Sequence, residues 1–152
     1  MLRTIANILW HVPFLGFLTA LLSFLLGSLL TILVIPAPIG LGLIQLSKFQ
    51  LAPFSYSLVS KDDLGVEQNP VWATYSFIIR ILYLPIGCIM ALCAIVQIVG
   101  LVCSIVGIPV ALVVAKALGT YFNPVGKVCV PVSVSQMIDR QKTEATLRDY
   151  QR

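Results

Sequence analysis

Few residues in this chain could do covalent or acid–base chemistry, and they are scattered. There is one histidine, His11, there are four cysteines, and the six carboxylates lie far from the apolar segments. Asp62, Asp63 and Glu67 fall in a short polar stretch, and Asp139, Glu144 and Asp149 fall near the C-terminus. General acid–base catalysis needs two titratable groups brought together, and a metal centre needs three or four ligands. No carboxylate pair, ligand cluster or Ser/His/Asp set can be drawn inside the apolar regions, and no glycine-rich phosphate loop occurs in the polar ones. Cys88, Cys93, Cys103 and Cys129 are spaced by 5, 10 and 26 residues, which matches no metal or redox pattern. They read as small buried apolar side chains. His11, beside Trp10, reads as a residue of the membrane interface. The expectation is a protein that is not an enzyme and takes no cofactor and no metal.

The basic residues say more. Lys48, Arg80 and Lys116 lie within or beside apolar stretches, and Lys127 follows soon after. A lysine at the centre of a membrane helix costs about 2.5–3.5 kcal/mol on insertion scales. Such residues either snorkel to lipid headgroups or line a water-filled axis that attracts anions. Arg80 reads as a lipid-phosphate anchor. Proton pumps and many cation carriers use an intramembrane carboxylate, which both apolar runs lack. A site of backbone carbonyls at helix breaks stays open.

The elements that must position these groups follow from composition. Of 152 residues, 59% are apolar and 11% charged, against about 25% charged in a soluble domain. Mean hydropathy is +0.98. Residues 4–47 and 81–115, runs of 44 and 35, hold no Asp, Glu, Lys or Arg. A membrane span needs about 20. This excludes a soluble globular enzyme, a disordered tail and a nucleic-acid module. The net charge of +4 is concentrated at the C-terminal end and fits the positive-inside rule, which places the C-terminus in the cytoplasm. The N-terminal run is too long for a signal peptide and reads as an uncleaved first segment.

Each run is too long for one span and must break. Breaks are expected at Pro13, Pro36, Pro38, Pro85, Gly107 and Pro109. They leave two principal spans, residues 14–35 and 86–108. Shorter interfacial or re-entrant pieces follow at 39–52, ending at Pro53, and at 110–123, ending at Pro124. Each is alternatively the start of a returning span. Aromatic pieces precede the spans at 2–12 (Trp10) and 72–84 (Trp72, Tyr75, Tyr83), in the manner of an interface belt. Gly16-x-x-x-Ala20, Ser23-x-x-x-Gly27 and Gly87-x-x-x-Ala91 give the spans small faces for close helix packing, between the units and in a homo-oligomer. The polar residues 61–71 connect the halves. In the charged tail, 133–152, Ser133 to Gln136 fits a capping box opening a surface helix.

The halves look alike. An offset of 71 residues superposes Gly16 on Gly87, Ala20 on Ala91, Pro38 on Pro109, Pro53 on Pro124 and Val59 on Val130. Lys48 and Lys116 occupy comparable places between the paired prolines. This is an internal repeat. Arg3-Thr-Ile-Ala-Asn-Ile-Leu-Trp10, Pro38-Ile-Gly40, Pro53-Phe54, Ile105-Val-Gly-Ile-Pro-Val110 and Pro124-Val-Gly-Lys127 carry a further likeness. The two-unit plan resembles the YccF inner membrane component proteins of bacteria, over residues 3–130. Ala111, Ser55 and Asn123 depart from the pattern. The resemblance implies a bacterial inner-membrane protein built of two such domains, and no defined activity.

The expected fold is thus an all-α integral membrane protein of two repeats, each a long transmembrane helix flanked by short helices broken at proline or glycine. Its parts are a first unit at 1–60, a connector at 61–71, a second unit at 72–132 and a tail at 133–152. The charge bias mildly favours units that each cross once and are inverted. The leading function is a homo-oligomeric channel or transport component for ions or small solutes, with Lys48, Arg80, Lys116 and Lys127 at the pathway or the headgroups. The alternative is a non-conducting scaffold that docks a membrane protein partner through its tail. The bilayer is the expected surrounding, and nucleic acid is not a partner.

Overall fold

The computed structural model of the chain describes residues 2–12, 15–65 and 69–150. The break expected at Pro13, and Glu67 of the connector, lie outside the described residues. Among these residues there are six helices and two strands, in the order α1 (Leu2–His11), α2 (Gly16–Ile32), α3 (Ala37–Leu51), β1 (Tyr56–Ser60), α4 (Pro70–Val102), α5 (Ile108–Phe122), β2 (Lys127–Pro131) and α6 (Val132–Tyr150). Single 3-10 turns occupy Asp62–Leu64 and Ile105–Gly107.

Prolines open the returning helices rather than merely breaking a span. Pro38 and Pro109 sit in the first turns of α3 and α5, where the missing N–H has no helical partner to lose. Pro53 and Pro124 follow the ends of the same helices and are fully buried. α2 and α3 form an antiparallel hairpin whose close approach depends on small residues. A methyl group at Gly27 would strike the Gly40 carbonyl, and one at Gly40 would strike the Gly27 carbonyl. α5 returns along the second half of α4 in the same way, with Gly87 facing the Phe122 carbonyl.

The two hairpins point in opposite directions. The Tyr75 hydroxyl, near the start of α4, donates to the Ile35 carbonyl at 2.6 Å, with the Val34 carbonyl at 3.0 Å. Those carbonyls form the tip of the first hairpin, where Val34 has φ 62°. The second tip follows Val102, at the far end of the same helix. From Tyr75 to Val102 a helix rises about 40 Å. Between the tips α3 and α5 cross antiparallel, with Leu46, Phe49, Val113 and Ala117 in one core together with Trp10.

β1 and β2 pair antiparallel, from Tyr56 opposite Pro131 to Ser60 opposite Lys127. The central pair is Leu58 and Cys129. One face of this ribbon sends Leu58 and Cys129 into the helical core. The other face, Val59, Val128 and Val130, is covered by Val134 and Ile138 of α6. The starts of α3 and α5 are 71 positions apart, as are their ends, the bounds of β1 and β2, and Leu58 and Cys129.

Several expectations are corrected. The protein is mostly helical, as expected, but the five-residue segments after Pro53 and Pro124 alternate and pair as strands, which the expected all-α fold lacks. The chain does not break at Pro85. Residues 72–84 are the first turns of α4, which runs unbroken through that proline for 33 residues. In apolar surroundings a helix tolerates proline where local adjustment re-satisfies the freed carbonyl. Only α4, among the described residues, is long and apolar enough to cross a membrane, and its most apolar window is 11% buried. α2, with 17 residues, is a shorter apolar helix, so two equal principal spans are not seen. α6 begins at Val132, directly off β2, so Ser133 lies inside the helix and not at its cap. Cys93 and Cys103 are exposed on the outside of the protein, not buried.

Candidate functional site

The four basic residues singled out from the sequence are not gathered in one place. The Lys116 ammonium, on α5, donates to the Pro53 carbonyl at 3.2 Å and stands 5.2 Å from the centre of the Phe54 ring. A cation over an aromatic face, bonded to a carbonyl that no longer has a helical partner, tethers α5 to the end of α3. Lys48 is exposed on α3, at the mouth of an apolar groove of about 450 Å³ lined by Phe17, Ala20, Leu21 and Phe24.

Arg80 and Lys127 do meet. The turn after β1 folds the 3-10 segment Asp62–Leu64 beside the start of β2, and α4 passes over both. A cleft of about 170 Å³ is lined by Asp62, Ser76, Phe77, Arg80 and Gly126. A second, of about 90 Å³, is lined by Gln45, Lys61, Trp72, Ser76, Gly126 and Lys127. Ser76 and Gly126 border both, so the two clefts adjoin. Gly126 adopts φ 74°, the left-handed region that glycine enters without penalty, and this lets the chain turn into β2.

The electrostatics of this corner are uneven. Asp63 is engaged by Lys142 of α6 at 2.8 Å, the one ion pair among the described residues. The hydrogen bond from Lys142 holds the Asp63 carboxyl below the ordinary carboxylate value. The Lys127 ammonium donates to the Ser60 hydroxyl at 3.3 Å. Burial pushes its pKa down, Asp63 opposes this, and Arg80 and Lys142 add to the fall. The Arg80 Nε is buried and has no hydrogen-bond partner.

Sequence reasoning found Arg80 and Lys127 but missed Lys61, Asp62, Ser76, Trp72 and Gln45 as their neighbours. No local signal marks these residues, because pairing of β1 with β2 is what brings the connector to α4. Trp10 is a core residue and not the interface aromatic expected from its neighbours in sequence. It is 5% exposed, its indole N–H donates to the Gln50 carbonyl at 2.8 Å, and it closes over Gly16. His11 binds the Leu51 carbonyl beside it. The small residues are likewise used within the chain. Gly16 faces Trp10, Gly27 faces Gly40, Gly87 faces Phe122, Ala20 is buried and Ala91 is half-buried.

Residues 5–56 match the family model of the YccF inner membrane component domain, in one copy. The match covers α1 from Ile5 onward, the first hairpin and the first residue of β1. It indicates a membrane protein in contact with the lipid bilayer and supports a bacterial inner-membrane location. No curated protein and no solved structure matches the chain.

Proposed function

We propose that the protein is a non-conducting membrane scaffold: two oppositely directed apolar hairpins hold it in the bilayer, and α6 presents a charged surface to a protein partner. The observation that carries this reading is the division of the surface. α2, α4 and both hairpin tips expose large apolar side chains, among them Leu22, Leu29, Val34, Leu82, Val96 and Ile105. Ile138 is the one buried residue of α6, which exposes both signs of charge along the rest of its length. The fixed positions of Lys116 and of the small faces weaken the case for a conducting homo-oligomer. One ammonium expected on a pathway, that of Lys116, is held by Pro53 and Phe54, and the faces expected between subunits are filled within one chain.

In the same reading residues 72–132 are a second copy of the matched unit, inverted against the first. The common 71-residue spacing of α3 with α5 and of β1 with β2 supports this. The chain is then multi-pass, with the basic C-terminal end on the cytoplasmic side.

The test is affinity capture of the full chain from membranes after cross-linking. Residues 144–152 are then removed, which spares Ile138 and Lys142. A stoichiometric partner that is lost with the truncation supports the scaffold. Ion or solute flux in liposomes that changes on Lys48→Gln or Lys116→Gln overturns it in favour of a channel.

A further inference from the structure

We propose that the two adjoining clefts between the first turns of α4 and the open end of the ribbon form a binding site for an anionic phosphate group. Three cations, Lys61, Arg80 and Lys127, line these clefts. Among the described residues Asp62 is the only carboxylate that does, and it makes no ion pair with them. Its neighbour Asp63 is already bound to Lys142. Among the described residues the corner therefore holds positive charge in excess, on groups partly withdrawn from water.

The geometry adds a donor without an acceptor. Arg80 Nε is buried and unpartnered, and leaving a buried charged donor unpaired is costly. Nε itself is closed to solvent, but the Arg80 side chain lines the first cleft, and a guanidinium matches phosphate oxygens two at a time. Among the described residues the Lys127 ammonium has the Ser60 hydroxyl as its one hydrogen-bond partner, and Ser76 borders both clefts. Gly126 lines both without a side chain to fill them. Together the clefts have room for a phosphate group and a few waters.

The surroundings favour a phospholipid as the source. Trp72 lines the second cleft, and tryptophan concentrates at the headgroup level of membranes. Tyr75, five residues before Arg80, is bonded to the apolar tip of the first hairpin, where Leu33, Val34 and Ile35 are exposed. A headgroup in the cleft leaves its acyl chains on that surface. This source rests on the bilayer-embedded reading above. The phosphate chemistry does not.

The full chain in neutral detergent is titrated with phosphatidylglycerol and with phosphatidylcholine, and binding is read by native mass spectrometry. Phosphatidylglycerol should bind in preference. Arg80→Gln and Lys127→Gln should each weaken it roughly tenfold or more. Lys116→Gln, remote from the clefts, should leave it unchanged. Ser76→Leu should block the clefts while keeping every charge, which covers the case in which a charge variant misfolds. Displacement of the lipid by millimolar inorganic phosphate identifies a site that also takes free phosphate. Resistance to displacement identifies a headgroup site, and either result supports the proposal. Folded Arg80→Gln/Lys127→Gln and Ser76→Leu proteins that bind phosphatidylglycerol as the parent does would overturn it. So would equal binding of the two lipids together with no binding of inorganic phosphate. The assay reads neither flux nor partner capture, so its failure leaves the scaffold reading standing.

Discussion

Trp10 offers the sharpest test of how the helices are held, because the core and interface readings predict opposite costs. Its indole is 5% exposed and packs with Leu46, Phe49, Val113 and Ala117, which come from both hairpins. Its N–H donates to the Gln50 carbonyl at 2.8 Å, near the end of α3. Trp10→Phe keeps most of the apolar contact but leaves that buried carbonyl without its donor, at a cost of about 1–3 kcal/mol. Trp10→Ala removes the aromatic body as well and should cost about 3–5 kcal/mol. The ladder from parent to Phe to Ala separates the hydrogen bond from the packing. Reversible denaturation in mixed micelles, read by the fluorescence of the more exposed Trp72, supplies the numbers. In the reverse variant, Trp72→Phe, the remaining Trp10 should resist aqueous quenchers. A Trp10→Ala cost below about 0.5 kcal/mol, the size of an ordinary surface substitution, would refute the packing argument. So would a readily quenched Trp10.

Three further outcomes follow from the same geometry. Leu58→Cys should form a disulfide with Cys129 under mild oxidation, seen as a mobility shift on non-reducing gels. The Cys129 N–H bonds Gln45 rather than β1, so the pair is a non-hydrogen-bonded one, in which side chains approach closely. Gly87→Leu should destabilise the second hairpin by about 1–3 kcal/mol or push α5 away from α4, because its side chain meets the Phe122 carbonyl; hydrogen exchange in α5 reports this. Asp63 has a pKa lowered by Lys142, so its contribution is present above the ordinary carboxylate value of 3.8 and is lost as pH falls through and below it. Being an exposed pair, it is worth about 0.2–1 kcal/mol. Asp63→Asn should cost that much at pH 7 and nothing at pH 2, by denaturation at both.

The apolar runs and paired prolines made much of this architecture legible. Pro38 with Pro53 and Pro109 with Pro124 bracket α3 and α5, since proline is at home in a first helical turn and just past a helix end. What the pattern hid is long-range. Tyr56–Ser60 and Lys127–Pro131 are too short to announce themselves as strands, and each pairs only with the other, across an interval that no local rule spans. Pro85 has the residue type of a break, but α4 continues past it while a proline elsewhere opens a helix. Trp10 and Trp72 have the same chemistry and different fates: one is buried in the core with its N–H bonded near the end of α3, and the other lines an open cleft beside the start of the same helix. At the candidate site, the charges of Arg80 and Lys127 were visible. Their convergence with Lys61 depends on the ribbon.

The central claim is that the hairpins point in opposite directions along α4. Spin labels at the two tips measure this most directly. With the four native cysteines replaced, cysteines introduced at Ile35 and Ile105 carry the labels, and the distance is read by pulsed electron resonance in lipid nanodiscs. The account predicts a single population near 40 Å, the rise of α4 between Tyr75 and Val102. A distance under about 20 Å, less than half that rise, would place both tips on one side and contradict it.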